Sequence, residues 1–452
     1  MNRLTAIRSW LACPGVRIRF VGHAAVALQA GTVTLLTDPW TRGMAFNDSW
    51  EPYPPPVLDP ETLDGVTHLW ISHEHPDHLS IPTLRSIPPD RRAGIVLLYQ
   101  RHWSPEVVSF LRTLGFARVV ELGHGETATL GPGVRARLHQ VGHEDSALTV
   151  HDGHHTVMDL NDCKPAPATL RRMLRQVGPV DVLLDQFSIA GWPGNPGDAP
   201  RLRAAARSTL DTFVEHAGIV QPRWVVPFAS FVRFCHEENA FMNSAANSVA
   251  AATEAAGAAG TAAAVLYPGD DWDLADRPRG TPDATERYRA DAADIESCAL
   301  VAHEPVDAAA VVGAAADRLA DLARSFHGPL LRRSGPVAFA LTDAPGTVLV
   351  ERGGARLLDG QAPEAASVVR LSSQAARYTF AHRWGLSTLL ISGRFRVDGP
   401  EEPWRRLKQL GSAHAQGIRT RGTLPLLTER RVLDNVRRRW PDLYRDVVRR
   451  AA

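Results

Sequence analysis

At 452 residues the chain is about three times the roughly 150-residue norm for one domain, so two or three compact units with full cores are expected. Apolar residues make up 44% and charged residues 22%, and no apolar run reaches the roughly 18 residues of a membrane span, which excludes a channel. Positive and negative charges nearly cancel, 50 Lys+Arg against 49 Asp+Glu for a net +1, so the electrostatic basis for a general nucleic-acid binder is missing.

The amino terminus, Met1 to Cys13, has Arg3 and Arg8 cutting its apolar residues, so no secretory signal is read there and a cytoplasmic protein is expected. Val16 to Leu28 reads as a strand, a turn at Gly22-His23 and a second strand. Val33 to Thr37 is a third, stopping at Asp38-Pro39. The Trp- and Pro-rich stretch from Trp40 to Pro60, with Pro54-Pro55-Pro56, must be a long loop, and loops of that length usually serve function. Thr67 to Ser72 is a buried-type strand that delivers the polar run His73 to His78, and a helix follows from Ile81.

Further strands are predicted at Gly94–Tyr99, Arg118–Glu121, Val134–Gln140 and Ala147–His151. The last pairs with His154–Leu160 across Asp152-Gly153, and Val180–Leu184 and Trp224–Pro227 follow. Helices are predicted at Ala166–Gln176, Arg201–His216 and the Ala-rich Ser244–Ala256. The Asp-, Arg-, Pro- and Gly-rich stretch Asp270–Asp294 marks a domain boundary, dividing the chain into 1–275, a linker at 276–295, and 296–452. In the last part a helix at Ala308–Ser325 precedes strands at Val337–Leu341, Thr347–Glu351 and Ser367–Leu371. A helix from Ser372, a strand at Thr388–Ile391 and an Arg-rich amphipathic helix at Glu429–Arg450 complete it.

Chemistry concentrates in His73-Glu74-His75-Pro76-Asp77-His78, directly after a hydrophobic strand. Three imidazoles and Asp77 so close together are costly to bury unless they converge on a cation, and a metal is the economical answer. In an extended segment His73 and His75 project to one side, while Asp77 and His78, further on, can reach a second position. Nitrogen and oxygen donors without thiolate suit zinc, iron or manganese alike. Asp77 is expected to act both as ligand and as a catalytic carboxylate. His143-Glu144, His236-Glu237 and His303-Glu304 lack a second His four residues on, so no HExxH protease helix is present. Neither a GxSxG elbow nor a Walker loop occurs.

The HxHxDH pattern, preceded by Leu35-Leu36-Thr37-Asp38-Pro39, resembles the metallo-β-lactamase superfamily. That resemblance implies an α/β protein with an αββα sandwich and a metal site at the sheet edges. It also implies a later His ligand, matched by His143, and a bridging Asp, matched by Asp162; His236 is the nearest candidate for the last ligand. A narrower likeness runs from Ile18 to Asn243. Asp38-Pro39-Trp40, Gly43, Ala45-Phe46, Trp50, Ile71-Ser72-His73 through Leu84, Asn161-Asp162-Cys163 and Pro227 to Phe231 are similar to the metal-binding part of CMP-N-acetylneuraminate hydroxylase. That family is an oxygenase one whose fold is joined to a Rieske iron-sulfur domain. Cys13, Cys163, Cys235 and Cys298 form none of the CxH and CxxH pairs a Rieske centre needs, so the electron donor is expected to be a separate, ferredoxin-type protein or the substrate itself. Pro336 to Pro400 resembles a smaller, sterol-carrier-like α/β domain, for which capping the metal site or forming a homodimer is the favoured role.

Two reactions share these ligands. One is oxidation of a small metabolite by O2 at a two-iron centre, which the narrower resemblance favours. The alternative is hydrolysis of an ester, amide or phosphodiester by two zinc ions. In both, Trp40, Phe46, Trp50 and Tyr53 are candidates to line the substrate pocket, and His23 is expected to hold the loop beside Asp38. No membrane or nucleic-acid partner is expected.

Overall fold

The computed structural model describes residues 15–415, apart from positions 103, 143, 279–280, 326 and 359, together with positions 433, 437 and 440. The expected helix at Glu429–Arg450 therefore lies almost wholly outside the described residues, as does His143.

In chain order the strands are β1 (Val16–Gly22), β2 (Ala25–Ala30), β3 (Val33–Thr37), β4 (Trp50–Pro52), β5 (His68–Ile71), β6 (Val96–Gln100) and β7 (Arg118–Leu122). They continue with β8 (Thr127–Gly131), β9 (Val134–Val141), β10 (Asp145–His151), β11 (Thr156–Asn161), β12 (Val182–Gln186), β13 (Trp224–Phe228), β14 (Val232–Phe234) and β15 (Asp271–Asp273). Seven of them form one sheet in the order β15-β1-β2-β3-β5-β6-β7, and six form another in the order β13-β12-β11-β10-β9-β8. Both sheets are mixed: β3-β5-β6-β7 and β11-β12-β13 run parallel, the remaining neighbours antiparallel.

Side-chain alternation explains why the sheets stack. On β2, Val26, Leu28 and Ala30 enter the core between the sheets, while Ala25 and Ala27 face the other way. On β5 and β6, Trp70 and Leu98 point inward, whereas Leu69, Ile71, Leu97 and Tyr99 pack under outer helices through Leu84, Val108 and Leu111. The second sheet is covered by helices Pro167–Val177, Ala199–Val220 and Val249–Ala258. Leu170, Met173, Phe213, Ala217, Val249, Ala252 and Ala256 recur at three- and four-residue spacing and belong to the same core. The result is the helix–sheet–sheet–helix sandwich the sequence pointed to.

Two expectations for the middle of the chain are corrected. The stretch 276–295 is not an open linker. A helix at Thr281–Asp294 occupies it, with Ala284 and Tyr288 one turn apart in the sandwich core, and β15 just before it extends the first sheet beside β1. Its many charged residues hid this, since only one narrow stripe is apolar. The Trp40–Pro60 loop is long, as expected, but includes β4, which pairs with β14. The loop folds back closely enough that a Cβ on Gly22, at φ +143°, would lie 3.0 Å from Pro56 Cβ.

Beyond the sandwich, β16 (Val337–Leu341), β17 (Thr347–Glu351), β18 (Gly354–Leu357), β19 (Ser367–Leu371) and β20 (Arg396–Asp398) form a sheet in the order β18-β17-β16-β19-β20. Helices Ala308–Arg324, Ser373–Ala381 and Glu401–Ala415 pack on it. The strand expected at Thr388–Ile391 is instead part of a helix, Gly385–Ser392, closed by Gly393 in the left-handed conformation. A short apolar run does not distinguish strand from helix, and here Leu386 and Leu389, three residues apart, both enter the core of this unit.

Candidate metal centre

The polar run opens where β5 ends, beside the end of β3, so Asp38 and Ser72 are brought side by side. Asp38 accepts from the Ser72 amide at 2.8 Å and from Ser72 Oγ at 2.6 Å. Its Oδ2 also lies 2.8 Å from His78 Nδ1. Ser72 Oγ lies 3.0 Å from His73 Nδ1. With its one proton given to Asp38, the hydroxyl accepts from His73. Both imidazoles thus turn Nδ1 toward an oxygen and Nε2 away from it, the arrangement by which a carboxylate or hydroxyl orients a metal-binding histidine.

The two Nε2 atoms approach one carboxylate. His73 Nε2 lies 2.8 Å from His75 Nδ1, a spacing that suits two donors to one ion at about 2.0–2.1 Å each. Asp162, just beyond β11, stands between the two positions: its Oδ2 is 3.7 Å from His73 Nε2 and 3.6 Å from His78 Nε2. Asp77 Oδ2 is 3.6 Å from His78 Nε2 and 3.3 Å from His23 Nε2. Two groups of donors result, His73–His75–Asp162 and His23–Asp77–His78. His78 Nε2, Asp77 Oδ1 and Asp162 Oδ1 are buried without any hydrogen-bond partner. Buried nitrogen and carboxylate oxygen atoms left without partners are costly unless a cation joins them, so this donor set fits a metal.

Electrostatics favour ionised carboxylates here, and the same carboxylates hold His78 well up against its burial. Burial alone would raise the Asp77 carboxyl, but the His78 and His23 imidazoles outweigh it and hold it down at about 2. Burial likewise opposes ionisation of Asp162, and His73 and His78 override it, keeping that carboxyl well below its ordinary value. His73 is pushed well down, chiefly by burial. Asp159, buried behind the site with Oδ2 unpartnered, is pushed well up by burial and then by Asp38.

Of the residues expected from sequence, His73, His75, Asp77, His78 and Asp162 meet at this centre. His236 does not join them. It belongs to a third group with Glu238 and His303, and its Nδ1 accepts from the Glu238 amide at 3.1 Å. Two residues were passed over. His23 was read as a loop support, yet from the β1–β2 turn it faces Asp77 and His78. Glu144 brings Oε2 to 3.9 Å from His75 Nε2; its place beside His143 was the available signal. Trp40, Phe46 and Trp50 are buried in one apolar cluster with Ile189, Phe234 and Met242. Trp40 meets His23 edge-on at 5.4 Å and Phe46 meets His75 at 5.8 Å, whereas Trp50 stands behind Phe46 at 4.7 Å. Arg233, nearby on β14, donates to Glu51 and the Ala299 carbonyl.

Residues 34–227 match the family described as a β-lactamase superfamily domain. Among curated relatives, a Mycobacterium tuberculosis protein provisionally named a Rieske 2Fe-2S iron-sulfur protein is 29% identical over 233 residues, covering 47% of this chain and 43% of its own. The cytidine monophosphate-N-acetylneuraminic acid hydroxylase of Danio rerio is 25% identical over 249 residues, covering 50% of this chain and 40% of its own. The chain thus spans less than half the length of these relatives. Among solved structures, CmlA, a diiron β-hydroxylase from Streptomyces venezuelae, is 20% identical with a TM-score of 0.42, covering 58% of this chain and 55% of its own. Metal-dependent hydrolases are also among the similar solved structures. Among the described residues no helix is long and apolar enough to cross a membrane.

Proposed function

We propose that this protein is an oxygenase that oxidises a small metabolite with O2 at a two-iron centre, drawing electrons from a separate, ferredoxin-type donor. The observation that carries the two-metal reading is Asp162, whose Oδ2 is nearly equidistant from His73 Nε2 and His78 Nε2 while its Oδ1 has no partner. His73, His75 and His143 would serve one ion, Asp77 and His78 the other, with Asp162 shared. Iron held by imidazole and carboxylate with open positions supplies O2 activation when bound. Around it, Asp38 and Ser72 keep two Nε2 atoms directed inward. Trp40 and Phe46 exclude water on one side. Ionised Asp77 and Asp162 balance the added positive charge. Oxidation is favoured over zinc hydrolysis by the hydroxylase among the curated relatives, and the Rieske-named relatives fit an electron-transfer partner. No CxH or CxxH pair occurs in the 452 residues to serve that role.

The test is metal analysis of protein made without added zinc and purified anaerobically, followed by O2 under optical and Mössbauer observation. About two iron per chain with an O2-dependent spectral change is the expected result, with iron content falling in His73→Ala while the protein stays folded. Stoichiometric zinc, with turnover of an ester or phosphodiester that needs no oxygen, would overturn the reading in favour of hydrolysis.

A further inference from the structure

Phe46, Asn47 and Asp48 lie consecutively in the left-handed region, at φ 54°, 61° and 54°. None is glycine, and each such residue costs on the order of 1 kcal/mol, so a turn of three holds only where its surroundings impose it. The consequence reaches the metal centre, because this turn lays the Phe46 ring against His75 and Trp50.

Part of the restraint comes from the distant C-terminal sheet. Arg394, 1% exposed, follows Gly393 at the end of helix Gly385–Ser392 and leads into β20. Its Nη1 donates to the Asn47 carbonyl at 2.8 Å, its Nε to Glu238 Oε2 at 2.8 Å, and its Nη2 to Gln374 Oε1 at 2.9 Å. Glu238 is itself held by the Ser372 amide and hydroxyl, both at 2.9 Å. The planar guanidinium fork can meet three acceptors at fixed angles, which a lysine ammonium on a flexible stem does not reproduce. Close by, Asn239 Nδ2 donates to both Ser49 O, at 2.9 Å, and Ser392 O, at 2.7 Å, tying the same two segments a second time. Ser49 Oγ also reaches the Asn47 carbonyl, at 3.2 Å, but from within the turn itself, so it does not fix the turn to the rest of the molecule.

We infer that Arg394 is a positioning residue: a buried guanidinium from the C-terminal sheet that pins the left-handed Phe46–Asp48 turn and so sets the aromatic wall over the metal centre. The inference gives the C-terminal unit a role in shaping the pocket for substrate, and it rests on the reading of His73–His75–Asp162 as the reaction site.

The test is Arg394→Lys in the full chain, which keeps the charge beside Glu238 and loses the fork. Hydrogen exchange followed by mass spectrometry should show residues 44–50 exchanging at least ~10-fold faster, with β16 and β19 as protected as in the wild type. In protein loaded with cobalt(II), metal content should stay unchanged while the ligand-field absorption weakens, because water reaches His75 once Phe46 moves. Phe46→Ala should show the same spectral change, and adding Arg394→Lys to it should change the spectrum no further. Wild-type exchange at 44–50 together with an unaltered spectrum overturns the inference. Should β16 and β19 lose protection in Arg394→Lys, the same exchange is read in Gln374→Ala, which removes one anchor of the fork: faster exchange at 44–50 supports the inference and wild-type exchange overturns it. A wild-type protein that binds no cobalt instead refutes the metal reading, and the exchange result at 44–50 then still decides the positioning role.

Discussion

His139 makes the stability of the sandwich depend on pH in a way that can be worked out in advance. It lies on β9 with no exposed surface; its Nε2 is 3.0 Å from Thr149 Oγ1, and its Nδ1 is buried without a partner. Burial, reinforced by the positive charges of His124 and Arg137, pushes its imidazole down from 6.5 to about 3. The folded protein therefore refuses a proton that the unfolded chain accepts once the pH falls below 6.5. Stability is fully present above that value and is lost progressively as the pH falls toward 3. At roughly 1.4 kcal/mol per pH unit, the loss from this one group between pH 7 and pH 5 is about 2 kcal/mol. Because the carboxylates and imidazoles of the metal centre also titrate, the assay compares two proteins. Urea unfolding of wild type and His139→Leu is followed at pH 7 and pH 5. At pH 7 the variant is the less stable by about 1–3 kcal/mol, since the buried Thr149 hydroxyl loses its partner. By pH 5 about 2 kcal/mol of that gap should close. Parallel losses in the two proteins across this range would refute the argument.

Other consequences are more direct. His236→Ala should leave metal content within error of wild type, as measured by elemental analysis, because that ring stands apart from His73, His75 and Asp162; loss of an ion would show that His236 holds a metal, in its own group with Glu238 and His303 or at the centre. Gly393→Ala should destabilise the protein by about 2–4 kcal/mol in a thermal melt, since the new Cβ would lie 2.2 Å from Met242 Sδ in a left-handed position and Met242 is itself buried. An unchanged melting temperature would mean that the close packing between the helix end and the pocket cluster is not as described.

Much of the centre was legible because its donors are contiguous. His73 to His78 sit on one short segment after a run of Leu69, Trp70 and Ile71, and the sequence declares both the strand and the polar edge it delivers. Asp162 was named through the superfamily resemblance, as the Asp just after the hairpin strand that ends near Leu160. The C-terminal strands Val337–Leu341, Thr347–Glu351 and Ser367–Leu371 were legible as short apolar strand patterns. Helix Gly385–Ser392 was not, because four to eight apolar residues satisfy either period and only packing chooses between them.

What the sequence by itself determined, then, is the layered α/β class and a His–carboxylate donor run, both of which follow from side-chain chemistry repeated over a few residues. Only the tertiary structure shows which donors stand together: His23 lies beside Asp77 and His78, whereas His236 lies with Glu238 and His303. It also decided that Arg394 reaches Asn47 across 347 positions of sequence. No local pattern records such contacts, because their geometry is set by the sum of sheet order, twist and core packing between the two residues and not by either residue's neighbours.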